Sequence, residues 1–138
     1  MLRKDADYII KHAIRQVLPD AAVAKALREK DFVRNAAIQG KDAAQGKLYV
    51  AAAGKAAWQM AHAAWEILGE QITRGVVVTK CDHVKGEIPR MVCFEAGHPV
   101  PDKNSFLGTE AVLDMVKDLT DRDRLIRILP SVQMPWRL

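Results

Sequence analysis

Three stretches of this chain hold residue types that can bind or transform an anion. The first is Ala52-Ala53-Gly54-Lys55-Ala56-Ala57. Small residues where a strand turns into a helix let backbone N–H groups approach a negative group, and the start of the helix adds a favourable dipole. Lys55 adds a compact positive charge suited to phosphate or carboxylate. The stretch is not a Walker A loop, because Tyr49 stands where the first glycine would be and Ala56 follows the lysine in place of Ser or Thr. Nor is it a GxGxxG fingerprint. A plain tight turn with a solvated lysine has the same spacing, so both readings stay open.

The second stretch is Glu95-Ala96-Gly97-His98-Pro99-Val100-Pro101-Asp102. Two prolines stiffen it and hold His98 and Asp102 at low entropic cost. It follows a strand pattern, the place where open α/β sheets take ligands. A rigid connector whose histidine bonds a backbone carbonyl is the plainer alternative. The third stretch, Lys80-Cys81-Asp82-His83, also follows a strand pattern. With Cys93 and His98 it supplies two Cys and two His, but Cys-x-His followed by Cys-x4-His is not a zinc-finger spacing. The thiols are expected to be small apolar fillers, and no metal site is expected from this set.

The elements that must position these residues follow from hydrophobic period. Ile9, Ile10, Ala13, Ile14 and Val17 share one helical face over Asp7 to Val17. Pro19 ends that helix and fits the first turn of a second, Asp20 to Lys30, with Val23 and Leu27 inward. The stretch Asp31 to Gly46 is ambiguous, with an exposed loop expected over Lys41 to Gln45. Lys47 to Ala52 reads as a strand, and Lys55 to Leu68 as a helix with Met60, Ala64, Ile67 and Leu68 on one side. Gly69 is its expected C-cap. Gly75 to Thr79 (GVVVT) is an unbroken β-branched run, which predicts a strand covered on both faces of a parallel sheet. Met91 to Glu95 is a third strand and Ala96 to Asp102 a loop. Ser105 is the expected cap of a helix carrying Leu107, Ala111, Met115 and Leu119, and Leu125 to Leu129 is a fourth strand. Trp58, Trp65 and His62 fall near one stripe of the middle helix, where packing accounts for them. Strand, helix, strand, strand, helix, strand is an α/β order.

Composition narrows the function classes. The 138 residues are 49% apolar and 28% charged, ordinary for one globular domain. No apolar run approaches the roughly 20 residues of a membrane span, and the N-terminal residues lack the pattern of a signal peptide. Two cysteines make no disulfide scaffold, so a reducing, cytoplasmic location is expected. The net charge of +4 is modest, and its one dense cluster, Arg122, Arg124, Arg127 and Arg137, lacks the interleaved aromatics of a nucleic-acid surface. No nucleic-acid or membrane partner is expected.

In order along the chain, YVAAAGKAAWQMAHAAWE, GVVVTKCDHVKGEIP, FEAGHPVPDKNSF and the helix into DLTDRD are similar to the N-terminal domain of the class II glycerate 2-kinases. This is the MOFRL family, whose members often carry the label hydroxypyruvate reductase. GKAAW and EAGHPVPD are specific together and weak singly. The resemblance implies a Rossmann-like three-layer α/β sandwich with a mostly parallel sheet. It also implies an active site in the cleft toward a second domain, and transfer of the ATP γ-phosphoryl to the 2-hydroxyl of D-glycerate with Mg²⁺. Lys55 falls on the family's GKA lysine, and His98 on its GHPVPD loop; these two are the expected catalytic residues. Gly54, Lys55, Gly97, His98, Asp102 and His83 are the expected substrate- or phosphate-binding set. The implied partners are a small hydroxy acid and a nucleotide.

Two departures bear on this. The family commonly has Tyr-Gly-His where this chain has Cys81-Asp82-His83, and an Asp in place of Gly would strain a turn or place negative charge near a phosphate. After the fourth strand the family has a glycine-rich loop, Ser-Gly-Gly-Gly-Ser-Ala-Leu, where this chain has Pro130-Ser131-Val132-Gln133-Met134-Pro135-Trp136. Codons for Ser131 to Arg137 shifted by two bases can read Gly-Ala-Asn-Ala-Leu. The expectation is therefore residues 1–129 as the first part of the kinase domain, a frameshifted tail over 130–138, and a sheet incomplete at its C-terminal end. Such a fragment would be inactive alone and prone to self-association through uncovered surface. Two other functions share part of this pattern. A sugar-phosphate-binding module of the sugar isomerase type would place Ser after the lysine and has no EAGHPVPD loop. An NAD(P)-dependent hydroxypyruvate reductase would need GxGxxG and a ribose-binding acid.

Overall fold

The computed structural model describes residues 2–29 and 46–129. Along the chain these form α1 (Leu2–Gln16), α2 (Pro19–Arg28), β1 (Leu48–Ala53), α3 (Ala57–Leu68), β2 (Arg74–Lys80), β3 (Met91–Ala96), α4 (Lys103–Val116) and β4 (Arg124–Ile128). The expectations for 31–45 and for the tail 130–138 lie outside the described residues.

All strand pairs are parallel, in the order β3-β2-β1-β4. The two helical crossovers run in opposite directions across this order. With right-handed connections, that puts their helices on opposite faces. α3 packs with α2 on the face that carries Leu48, Val50, Ala52 and Val77. α4 lies on the other face against β2 and β3, where Gly108 meets Val78 and Phe94. The result is the expected α/β/α sandwich. β2 is its centre: Val76 and Val77 point to opposite layers and both are fully buried, as the unbroken valine run predicts.

The helix signals translate with small shifts. Pro19 opens α2, and Val23 and Leu27 are buried. α3 buries Ala57, Ala61, Ala63 and Ala64 between the sheet and α2, small side chains that allow close packing, and Gly69 caps it at a φ of 50°. Met60, Ile67 and Leu68 pack around that alanine seam. Ser105 does not cap α4. The N-cap is Asp102, with Ser105 at the third helical position, and each side chain bonds the other's backbone N–H. This is a capping box, and Asp outranks a serine already inside the first turn. α4 ends at Val116, so Leu119 lies beyond it in a turn.

One apolar surface stays uncovered among the described residues. α1 buries nothing: Ile9, Ile10 and Ile14 are each more than half exposed.

Candidate functional site

The ends of β1, β2 and β3 deliver the three sequence stretches to one place. Gly54 follows β1 with a φ of 132°, a conformation closed to residues with a side chain. Its N–H donates to the Val78 carbonyl at 3.0 Å, and its own carbonyl accepts from Ala57 N–H at 3.1 Å. The chain is thereby turned over the end of β2 before α3 begins. Lys55 sits at the apex of that turn with an exposed side chain.

The Lys55 carbonyl is held from β2 and the loop after it. Thr79 Oγ1 donates to it at 3.3 Å, and His83 Nδ1 lies 2.9 Å away. Thr79 is the buried polar residue of the core, 2% exposed, so its hydroxyl is spent on this contact. His83 is placed by a turn in which its own N–H donates to the Lys80 carbonyl, and in that turn Asp82 has a φ of 64°. The expected strain at this Asp is thus real: the position is left-handed, where glycine is favoured. Farther along the same loop, Gly86 carbonyl accepts from Trp58 Nε1 at 3.0 Å, while Trp58 stacks on His62. The tryptophan is a clasp between α3 and the β2–β3 connection.

The GHPVPD loop closes the other side. Asp102 is tied down rather than free. The Gly97 N–H, then the Ser105 N–H and hydroxyl and the Asn104 N–H, hold its carboxyl below the ordinary value of 3.8. Asn104 Nδ2 donates to the Glu95 carbonyl at 2.8 Å, and the Glu95 carboxylate accepts from Val84 N–H at 3.1 Å. The loop is therefore strapped to both the β2–β3 connection and α4.

Between turn and loop lies an open cleft of about 170 Å³, lined by Gly54, Lys55, Thr79, Lys80, Gly97, His98 and Ser105 among others. Four of the six expected site residues line it. Asp102 stands behind Gly97 as the loop's anchor, and His83 stands behind Lys55. Positive side chains, small residues and a rigid rim suit a compact anion. Sequence reasoning missed Lys80 as a lining residue and Thr79, Glu95 and Asn104 as supports. Thr79 carries a faint signal, a hydroxyl ending an otherwise apolar strand.

Cys81 Sγ sits 3.5 Å from the Ala96 carbonyl, and burial pushes the Cys93 thiol up. Cys81, His83, Cys93 and His98 do not converge. Among the described residues no three Cys, His, Asp or Glu side chains gather as an ion would need.

A family profile described as a domain of unknown function, DUF4147, matches residues 5–130. The D-glycerate 2-kinase of Thermotoga maritima is 41% identical over 128 residues, 93% of this chain and 28% of that protein. The glycerate 2-kinase of Pyrococcus horikoshii is 38% identical over 116 residues, 83% of this chain and 25% of that protein. A crystal structure of glycerate kinase from Thermotoga maritima aligns with a TM-score of 0.72 at 40% identity, covering 91% of this chain and 27% of the other. This chain spans about a quarter of the length of these relatives.

Proposed function

The chain belongs to the DUF4147 family, and from that premise we propose that its cleft is the hydroxy-acid subsite of a glycerate 2-kinase. The observation that carries the proposal is the convergence of Gly54, Lys55, Gly97 and His98 on one small cleft. Its 170 Å³ suits a three-carbon acid or one phosphoryl group and lies below the roughly 300–1,000 Å³ of sites that enclose a nucleotide-sized ligand. The names of the relatives supply the substrate.

In this proposal Lys55 pairs with the carboxylate of D-glycerate or with the transferred phosphoryl. His98, on the stiff rim, exchanges a proton with the 2-hydroxyl. ATP would supply the γ-phosphoryl. The chain's own contribution is position and positive charge, which phosphoryl transfer needs more than covalent help. Magnesium finds no built site among the described residues: the Asp102 and Glu95 carboxylates near the cleft are already bonded to backbone N–H groups, and no third acid joins them. The remaining three quarters of a kinase-length chain would supply the nucleotide contacts. This segment alone therefore binds without turning over, and it associates through the uncovered face of α1.

The test is a ¹H–¹⁵N titration of the chain with D-glycerate and, separately, with inorganic phosphate. Shifts confined to residues 53–57, 79–83 and 97–105, and lost in Lys55→Ala, are expected. Shifts elsewhere, or identical shifts in Lys55→Ala, overturn the assignment.

A further inference from the structure

The cleft depends on where the Lys55 turn sits, and the turn is gripped at one atom. Thr79 and His83 reach the same Lys55 carbonyl from different directions, at 3.3 and 2.9 Å. Thr79 comes from the end of β2, inside the core. His83 comes from the loop three residues after that strand. A carbonyl oxygen has two lone pairs, which the Thr79 hydroxyl and the Nδ1–H form of His83 would fill. The neighbouring Gly54 N–H is fixed on the Val78 carbonyl, so β2 templates the turn at two successive residues.

We propose that Thr79 and His83 form a two-point latch on the Lys55 carbonyl. Both are positioning residues, and His83 acts on an anion through Lys55 rather than by touching it. Donation to a carbonyl requires the Nδ1–H form of the ring, which leaves Nε2 as the unprotonated nitrogen of the neutral side chain. The latch answers a specific need. A lysine at the apex of a glycine turn has a mobile backbone as well as a mobile side chain, and mobility lost on binding weakens binding. Fixing the carbonyl settles the backbone share of that cost before any ligand arrives. The latch is a statement about the turn. Only its effect on affinity rests on the hydroxy-acid assignment.

Three measurements on the whole chain decide it. Long-range ¹H–¹⁵N spectra read the His83 tautomer, and Nδ1–H is expected; the Nε2–H form overturns the latch. Hydrogen exchange at the Gly54 and Ala57 amides is then compared with β4 amides such as Ile126. Thr79→Val, close to isosteric but without the hydroxyl, and His83→Phe should each accelerate the turn amides about tenfold while β4 holds, roughly what one lost hydrogen bond gives. Thr79→Ser should restore protection. Uniform acceleration across the sheet, or no rescue by serine, makes Thr79 merely a core residue and overturns the proposal. Inorganic phosphate binding is measured last. Thr79→Val/His83→Phe should lose about tenfold in affinity with Lys55 intact. If His83→Phe loses affinity while turn exchange is unchanged, His83 is a direct ligand and the latch is wrong. If the parent chain binds neither phosphate nor D-glycerate, the hydroxy-acid assignment falls, and tautomer and exchange still decide the latch.

Discussion

Asp102, expected among the binding residues, has its carboxylate held by its own loop. Its carboxylate takes bonds from Gly97, Ser105 and Asn104, all of which favour the charged form. A carboxyl held below 3.8 when folded stabilises the fold above that value, and the stabilisation is lost as pH falls through the lowered folded value. Asp123 behaves alike: bonds from Thr120 N–H and Lys47 N–H hold it low, and they tie the turn before β4 to the start of β1. Stability should therefore be level down to about pH 4–5 and drop steeply below, with a shallower drop in Asp102→Asn. Asp102→Ala should lower the melting temperature by about 3–5 °C at neutral pH. An unchanged value would mean the capping box forms without contributing. Asp82 makes the opposite prediction. At a φ of 64° it occupies a conformation that glycine adopts freely. Asp82→Gly should stabilise the chain by about 0.5–1 kcal/mol in urea denaturation. A loss of stability would show that the Asp side chain secures the turn.

At the scale of elements, α4 shows what hydrophobic period cannot convey. Its most demanding contact is made by Gly108, where a Cβ would stand 2.6 Å from Val78 Cγ2 and 3.2 Å from Cγ1. Valine has little rotamer freedom to yield. Gly108→Ala improves helix propensity by roughly 1 kcal/mol but overpacks the contact at about 1–3 kcal/mol. A net loss of about 1 kcal/mol is expected in the denaturation midpoint; a gain would mean α4 can lift off β2 at no cost. The legible parts of the fold were those with local signals: the valine run of β2, the proline opening α2, Gly69 after α3. The cap of α4 is ambiguous in spacing because Asp102 and Ser105 are both cap-forming types, and the fold gives Asp102 the N-cap with Ser105 at the third helical position. The meeting of Lys55 and His98 followed from the parallel order, which brings all strand ends to one edge. The contacts of Thr79 and His83 with a backbone carbonyl 24 and 28 residues away left no trace in spacing.

At the scale of the whole molecule the apolar surface is divided unevenly. Near β2 both faces of the sheet are sealed, while Leu2, Ile9, Ile10, Ile14 and Val17 of the α1 segment are all more than half exposed. An apolar groove of about 310 Å³ also runs beside β4 between Val23, Leu27, Met60 and Ile128. Soluble monomers rarely expose contiguous apolar patches beyond a few hundred Å². Five aliphatic side chains along one short segment reach that scale. Burying them between copies removes apolar surface from water at about 25 cal/mol per Å², the favourable term for self-association. Sedimentation velocity should therefore show species larger than 15.4 kDa that grow with concentration. Ile10→Lys combined with Ile14→Glu should shift the distribution toward the monomer without moving the melting temperature by more than a degree or two, because neither side chain is buried. If the parent chain is monomeric at high concentration and melts sharply, α1 is not an association surface. If the double variant unfolds instead, α1 packs against the fold more tightly than its exposure indicates.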